Sequence, residues 1–304
     1  MTTTAEPVTR PPAGAPDLSR RALSLRRRLT NRIFLGLFVV AVFVAVVPLG
    51  LVVWSVLSRG GGVISWEFLT ADIPNSFRRP GGGVGPAIIG TLLITGMAAL
   101  MAIPLGVLGA IYLNEYGKQR PLARLIRMMA DIMTGVPSIV MGLFIYSTWV
   151  LLFETRSGFA GALALACLML PVIIRSTEEM LRLVPDELRQ ASLALGARKW
   201  RTTVTVVLPA AISGITSGIL LAIARAAGET APIVFVVGIT ASTNWSLFDG
   251  ENTALPAQIF RNASQVFEPA QERAWGSALT LIVIVLVFTI IARIIANRFA
   301  IKER

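Results

Sequence analysis

The chain has 304 residues, 54% hydrophobic and only 15% charged, with a net charge of +11. A soluble domain carries about a quarter charged residues, so an ordinary water-soluble enzyme is excluded and a polytopic membrane protein is indicated. The absence of His and the single Cys167 exclude His-based catalysis, His metal ligands and any disulfide within the chain. Residues 1–17 are rich in Pro, Ala and Thr, with too few large apolar side chains to pack. A basic block follows (Arg20, Arg21, Arg26, Arg27, Arg28, Arg32), so 1–31 reads as a disordered cytoplasmic tail and 32–304 as a transmembrane domain. Apolar runs long enough to cross a bilayer as helices occupy 33–57, 87–113, 132–153, 158–174, 206–239 and 274–292, six in all. The first is too long for a signal-peptide core and no small-residue cleavage pattern ends it, so it is expected to be retained. Residues 154–157 form a tight connection between the third and fourth runs. No run alternates apolar and polar residues as a membrane barrel does, and the fold class is therefore all-α.

The cations set the expected orientation. Of the 28 Lys and Arg, 21 fall in the N-terminal tail, in 114–128, in 175–205 and from 293 onward, while six fall in the remaining connections. The positive side is the cytoplasmic one, which places both termini there. With the cations so distributed, no nucleic-acid partner is expected. The loops 58–86 and 240–273 then lie outside, and the second is long enough for a short helix.

The inner loop 176–205 carries helix signals of its own. Ser176 and Glu179 have capping-box spacing, predicting a short helix through Leu181 and Leu183 that ends near Pro185. Pro185 suits the first turn of a second helix, with Asp186 and Glu187 near its start and Gly196 at its exit. Leu188, Ala191, Ser192 and Leu195 fall on one face. Two readings remain open on amphipathicity alone. The helix rests on lipid headgroups, helped by Arg198, Lys199, Trp200 and Arg201, or its small residues admit close approach of another body. The finer pattern Gln190-Ala191-Ser192, then Gly196, then Val206, Leu208 and Pro209 resembles the EAA loop of ABC-importer permeases. That pattern is Glu-Ala-Ala, three residues, Gly, nine residues, then Ile-x-Leu-Pro. The spacing matches throughout, with departures at Gln190, Ser192 and Val206. The resemblance implies that Gln190, Ala191, Ser192 and Gly196 dock on a separate cytoplasmic ATPase. No G-x-x-x-x-G-K-[ST] loop occurs in the chain, so ATP and Mg are expected on that partner, with no cofactor, metal or catalytic residue here.

Arg225 and Glu229 lie four residues apart between apolar runs and share a helix face. An ionisable group at the bilayer centre costs about 2.5–3.5 kcal/mol, so such a pair marks a site. Alternatively, a helix starting at Pro209 carries Arg225 about 24 Å along, near an interface where its guanidinium reaches water. A straight helix from Pro209 to Ile239 would run about 45 Å and overshoot the hydrocarbon core. A bend near Gly228 and Pro232 is therefore expected, opening the pair to a cavity between helices. The string Gly228-Glu229-Thr230-Ala231-Pro232 resembles a signature of phosphate-importer permeases of the PstA type. Gly135-Val136-Pro137-Ser138-Ile139-Val140, Tyr112-Leu113-Asn114-Glu115-Tyr116 and Leu255-Pro256-Ala257-Gln258-Ile259 look similar to the same type.

That resemblance implies a type I importer (MetI-like) fold in the bacterial plasma membrane, with Arg225, Glu229 and Thr230 on a phosphate pathway. It implies as partners a pair of PstB-type ATPases, a PstC-type second permease and a PstS-type external binding protein. A guanidinium fork suits an oxyanion because its donors match two oxygens. Permeases for sulfate or molybdate share that chemistry. An ion-coupled secondary transporter usually shows internal repeats, and none is convincing here. A membrane scaffold without transport is a third rival. Among lesser features, Gly214 and Gly218 predict close helix packing, Asp131 an interfacial solvated carboxylate, and Arg293 a side chain reaching the interface.

Overall fold

The structure, a computed structural model, describes residues 25–299. The chain divides into two compact units, 1–54 and 55–304. In the first, residues 25–54 belong to helix α1 (Leu25–Gly60) and every side chain of that stretch is exposed. Helix is already present from Leu25, so Arg26, Arg27 and Arg28 lie on α1; residues 1–24 of the expected tail and 300–304 at the other end lie outside the described residues.

The second unit continues with α2 (Trp66–Thr70), α3 (Gly85–Ile111), α4 (Pro121–Gly135), α5 (Ser138–Ile145), α6 (Gly158–Leu183) and α7 (Asp186–Ala194). It ends with α8 (Lys199–Thr202), α9 (Leu208–Ala227), α10 (Ala231–Val236), α11 (Leu255–Ala263) and α12 (Glu268–Phe299). No strand is present among the described residues. Wide π-helical turns extend α3 (Tyr112–Gly117) and α5 (Tyr146–Val150, then on to Phe153) and join α8 to α9 (Thr203–Val207). In the last of these the Leu208 amide bonds the Thr203 carbonyl, five residues back. The next residue is Pro209, which has no amide hydrogen to complete an ordinary turn.

Among the described residues, five helices are long and apolar enough to cross a membrane, and a sixth crossing requires the pair Pro121–Gly135 and Ser138–Phe153, bent by 106°. The single third run expected over 132–153 is thus corrected. Pro137 forces Val136 into extended backbone (φ −72°, ψ 127°) and ends α4, and a new helix starts at Ser138. Before the break, α4 is a separate amphipathic helix with Leu122, Leu125, Met129 and Ile132 exposed. The fourth run is longer than expected, since α6 continues without interruption to Leu183. The Ser176 capping box does not form, because the Ser176 hydroxyl donates back to the Ile173 carbonyl inside the helix (3.3 Å). The fifth run splits, as its length demanded, between Ala227 and Ala231. Helix α11 supplies the short helix expected in 240–273, whereas α2, capped by the Ser65 hydroxyl accepting from the Phe68 amide (3.0 Å), was not legible.

The core lies where α3 and α6 pack together through Ala98, Ala102, Leu165, Met169 and Ile173, joined by Ala222 and Ala226 of α9 and by Ile233 and Val236 of α10. Small residues set the spacing. A Cβ at Gly106 would meet Ile173 Cγ2 at 2.6 Å. Gly214 and Gly218 of α9 lie against Met180 and Ser176 of α6, so this G-x-x-x-G is the packing face expected of it.

Candidate functional site

The α9–α10 break brings the expected pathway residues together. Ala227 closes α9; the Gly228 amide donates to the Arg225 carbonyl (3.1 Å) and the Glu229 amide to the Ala226 carbonyl (3.1 Å) in a tight turn. Thr230 then precedes α10, with Pro232 in its first turn, where a missing amide hydrogen costs nothing. Arg225 Nε lies 3.5 Å from Glu229 Oε1, one turn apart. Glu229 is enclosed, its side chain 18% exposed, whereas the Arg225 side chain is 71% exposed. The carboxylate anchors one edge of the guanidinium and leaves the other donors open. Both line a small recess with Leu168, Met169 and Val172 of α6. Packing against α5 fixes the turn from the far side, because Gly142 lies so close to Pro232 that a Cβ would meet its Cα at 2.6 Å.

The expected coupling residues lie on and after α7. Pro185 stands immediately before the helix, Asp186 and Glu187 occupy its first turn, and Gly196 turns the chain at φ +82°, a conformation open to glycine. No α7 residue is buried. Gln190, Ala191 and Gly196 are exposed, as are Leu188 and Leu195. Ser192 differs: it is half-buried and its hydroxyl shares a 2.9 Å hydrogen bond with that of Thr202 on α8. Its side chain ties the two short helices together rather than facing outward with Ala191.

Sequence reasoning missed two buried carboxylates beside this loop. Glu178 on α6, 2% exposed, accepts from Arg127 Nε of α4 (2.7 Å) and from Arg182 Nη2 (2.7 Å), with Arg175 Nη1 at 3.8 Å from its other oxygen. Glu115, in the wide turn after α3, accepts from Arg189 of α7 at 3.0 and 3.2 Å. Asp131 is not merely solvated, since it forms an ion pair with Arg175. Arg182 and Arg175 stand one turn from Glu178 on the same helix, but Arg127 is 51 residues from Glu178 and Arg189 is 74 from Glu115, so no local spacing reveals those two pairs. The one available signal was the i,i+4 spacing of Glu178 and Arg182.

Residues 102–301 match the family described as binding-protein-dependent transport system inner membrane component. The phosphate transport system permease protein PstA 1 of Mycobacterium tuberculosis (strain ATCC 25618 / H37Rv) is 44% identical over 290 residues, covering 93% of this chain and 92% of its own. The chain belongs to the PstA family of phosphate transport system permeases. PstA of Yersinia pestis is 42% identical over 280 residues, covering 91% of this chain and 93% of its own. Solved structures agree on the fold. An inward-facing MetNI methionine ABC transporter aligns with TM-score 0.56 at 20% identity, over 72% of this chain and 95% of that one. A bacterial alginate ABC transporter, solved in complex with an alginate pentasaccharide-bound periplasmic protein, aligns with TM-score 0.62 at 13% identity, over 90% and 97%. The PstA-family chain is thus an all-helical, MetI-like ABC permease.

Proposed function

We propose that the chain is a permease subunit that forms half of the membrane pathway of an ATP-driven inorganic phosphate importer. The observation that carries this reading is a partly anchored guanidinium at a helix break in a PstA-family chain: Arg225 has one edge on Glu229 and its other donors open. Two open donors suit two oxygens of a tetrahedral oxyanion. Glu229 holds the guanidinium in place and offsets its charge in the empty site. Thr230, at the same break, supplies a hydroxyl beside them.

A second permease of the PstC type completes the path, and a pair of PstB-type ATPases, carrying ATP and Mg, drives it. A PstS-type binding protein delivers phosphate from outside the bacterial plasma membrane to the loops 58–86 and 240–273, with both termini on the cytoplasmic side. The exposed face of α7 around Gln190 and Ala191, with the Gly196 turn, is the docking segment for an ATPase; Ser192 supports it from within through Thr202. The test is ATP-dependent uptake of labelled phosphate into proteoliposomes holding the whole complex. Arg225→Ala is expected to abolish uptake with the complex still assembled, and sulfate or molybdate in excess to leave native uptake unchanged. Undiminished uptake by Arg225→Ala removes that residue from the path. Competition by sulfate or molybdate reassigns the substrate, and uptake by the chain without its ATPase favours an ion-coupled transporter.

A further inference from the structure

We propose that Arg189 is the strut that carries displacement of α7 into the membrane helices, a positioning residue for coupling; this rests on α7 being the docking segment. Helix α7 has no buried residue to hold it against the body of the protein. Among the described residues, its side-chain hydrogen bonds to preceding elements all come from Arg189. Nη2 donates to the Leu181 carbonyl (2.8 Å) and Nη1 to the Val184 carbonyl (2.6 Å), at the end of α6. Nε and Nη2 donate to Glu115 Oε1 in the wide turn that extends α3 (3.2 and 3.0 Å). Asp186 of α7 accepts from Nη1 at 3.2 Å.

One planar group therefore joins three elements, and two of them are the helices whose mutual packing makes the core. The joint is stiff for three reasons. The Arg189 and Glu115 side chains are 13% and 6% exposed, so solvent and salt screen the pair weakly. The two carbonyls belong to the last turns of α6, where helix acceptors have no intrahelical donor and a cation is favoured. The guanidinium fork also fixes all the directions at once, which a lysine ammonium on a flexible stem cannot do. A push on α7 thus reaches α3 and α6 together rather than being absorbed by a loose loop.

The experiment uses the complete complex, with native ATPase and second permease, in proteoliposomes, and reads phosphate transported per ATP hydrolysed. Arg189→Lys keeps the charge but not the fork; Glu115→Gln keeps an acceptor but not the charge. Both are expected to co-purify with the complex and to hydrolyse ATP within about twofold of native, while transport per ATP falls about tenfold, a usual size for coupling between sites. If Arg189→Lys fails to assemble, Glu115→Gln carries the same comparison. An unchanged ratio in an assembled variant overturns the strut, whether both rates stay native or fall in proportion. A native complex whose ATP hydrolysis moves no phosphate overturns the phosphate reading instead, and the same ratio is then read with sulfate or molybdate, where an unchanged value in an assembled variant again overturns the strut.

Discussion

Replacing Glu178 with Gln isolates what one enclosed carboxylate does for the inner face of the helix bundle. The side chain is 2% exposed and its Oε1 receives Arg127 Nε and Arg182 Nη2, each at 2.7 Å. Glutamine preserves the shape and one carbonyl acceptor but removes the charge, and presents its amide group towards either Arg182 and Arg127 or Arg175. Breaking a buried pair costs roughly 3–5 kcal/mol. Arg127 keeps the Leu113 and Lys118 carbonyls (2.7 and 3.0 Å), and Arg175 and Arg182 have solvent access, so the expected cost is lower, about 2 kcal/mol. At about 2–4 °C per kcal/mol for a unit of this size, the midpoint should fall by about 4–8 °C. The single Cys167, half-buried on α6, provides the assay: a thiol-reactive fluorophore reports its exposure as the purified protein is heated in detergent. Arg182→Ala, which removes an arginine 57% exposed, should cost less than about 1 kcal/mol. A Glu178→Gln midpoint within about 1 °C of native, or no lower than that of Arg182→Ala, would refute the reasoning.

Three glycine substitutions extend the test to the α9–α10 turn and the loop. Gly142→Ala should cost about 1–3 kcal/mol and lower phosphate uptake, because its Cβ meets the Pro232 backbone at 2.6 Å and pushes α5 off the turn that holds Glu229. Gly135→Ala, with nothing within 4 Å, should leave uptake and midpoint unchanged. Gly196→Ala has open space but φ +82°, so a cost of about 1–2 kcal/mol should appear as faster amide exchange confined to α7 and α8, at an unaltered midpoint for the α3–α6 core.

What the sequence disclosed was whatever local chemistry controls. Run length and hydropathy located α3, α6 and α12, and the excess length of 206–239 forecast the break at Gly228–Thr230, because a straight helix could not fit. The surface helix α7 was legible from Pro185, its acidic first turn and Gly196. Two local signals misled. Ser176 and Glu179 have the spacing of a cap, but a serine inside a helix satisfies itself on the carbonyl three residues back and needs no start there. Pro137 lay within an apolar run that seemed continuous, yet it redirects the chain by 106°. Arg225 and Glu229 were found because charge inside an apolar run is conspicuous. Arg189 and Glu115 were not, because each sits among other charges and tertiary folding alone brings them together.

The wide turn at Thr203–Val207 has a cause in the motif that follows it. One additional residue in a turn advances the side chains beyond it by about 100° around the helix axis. Pro209, by withholding one amide hydrogen, thus dictates the azimuth at which α9 presents Arg225 relative to the segment that reaches back to α7 and α8. The proline works as a phase-setting key: a residue outside the recess decides which way the Arg225 guanidinium points.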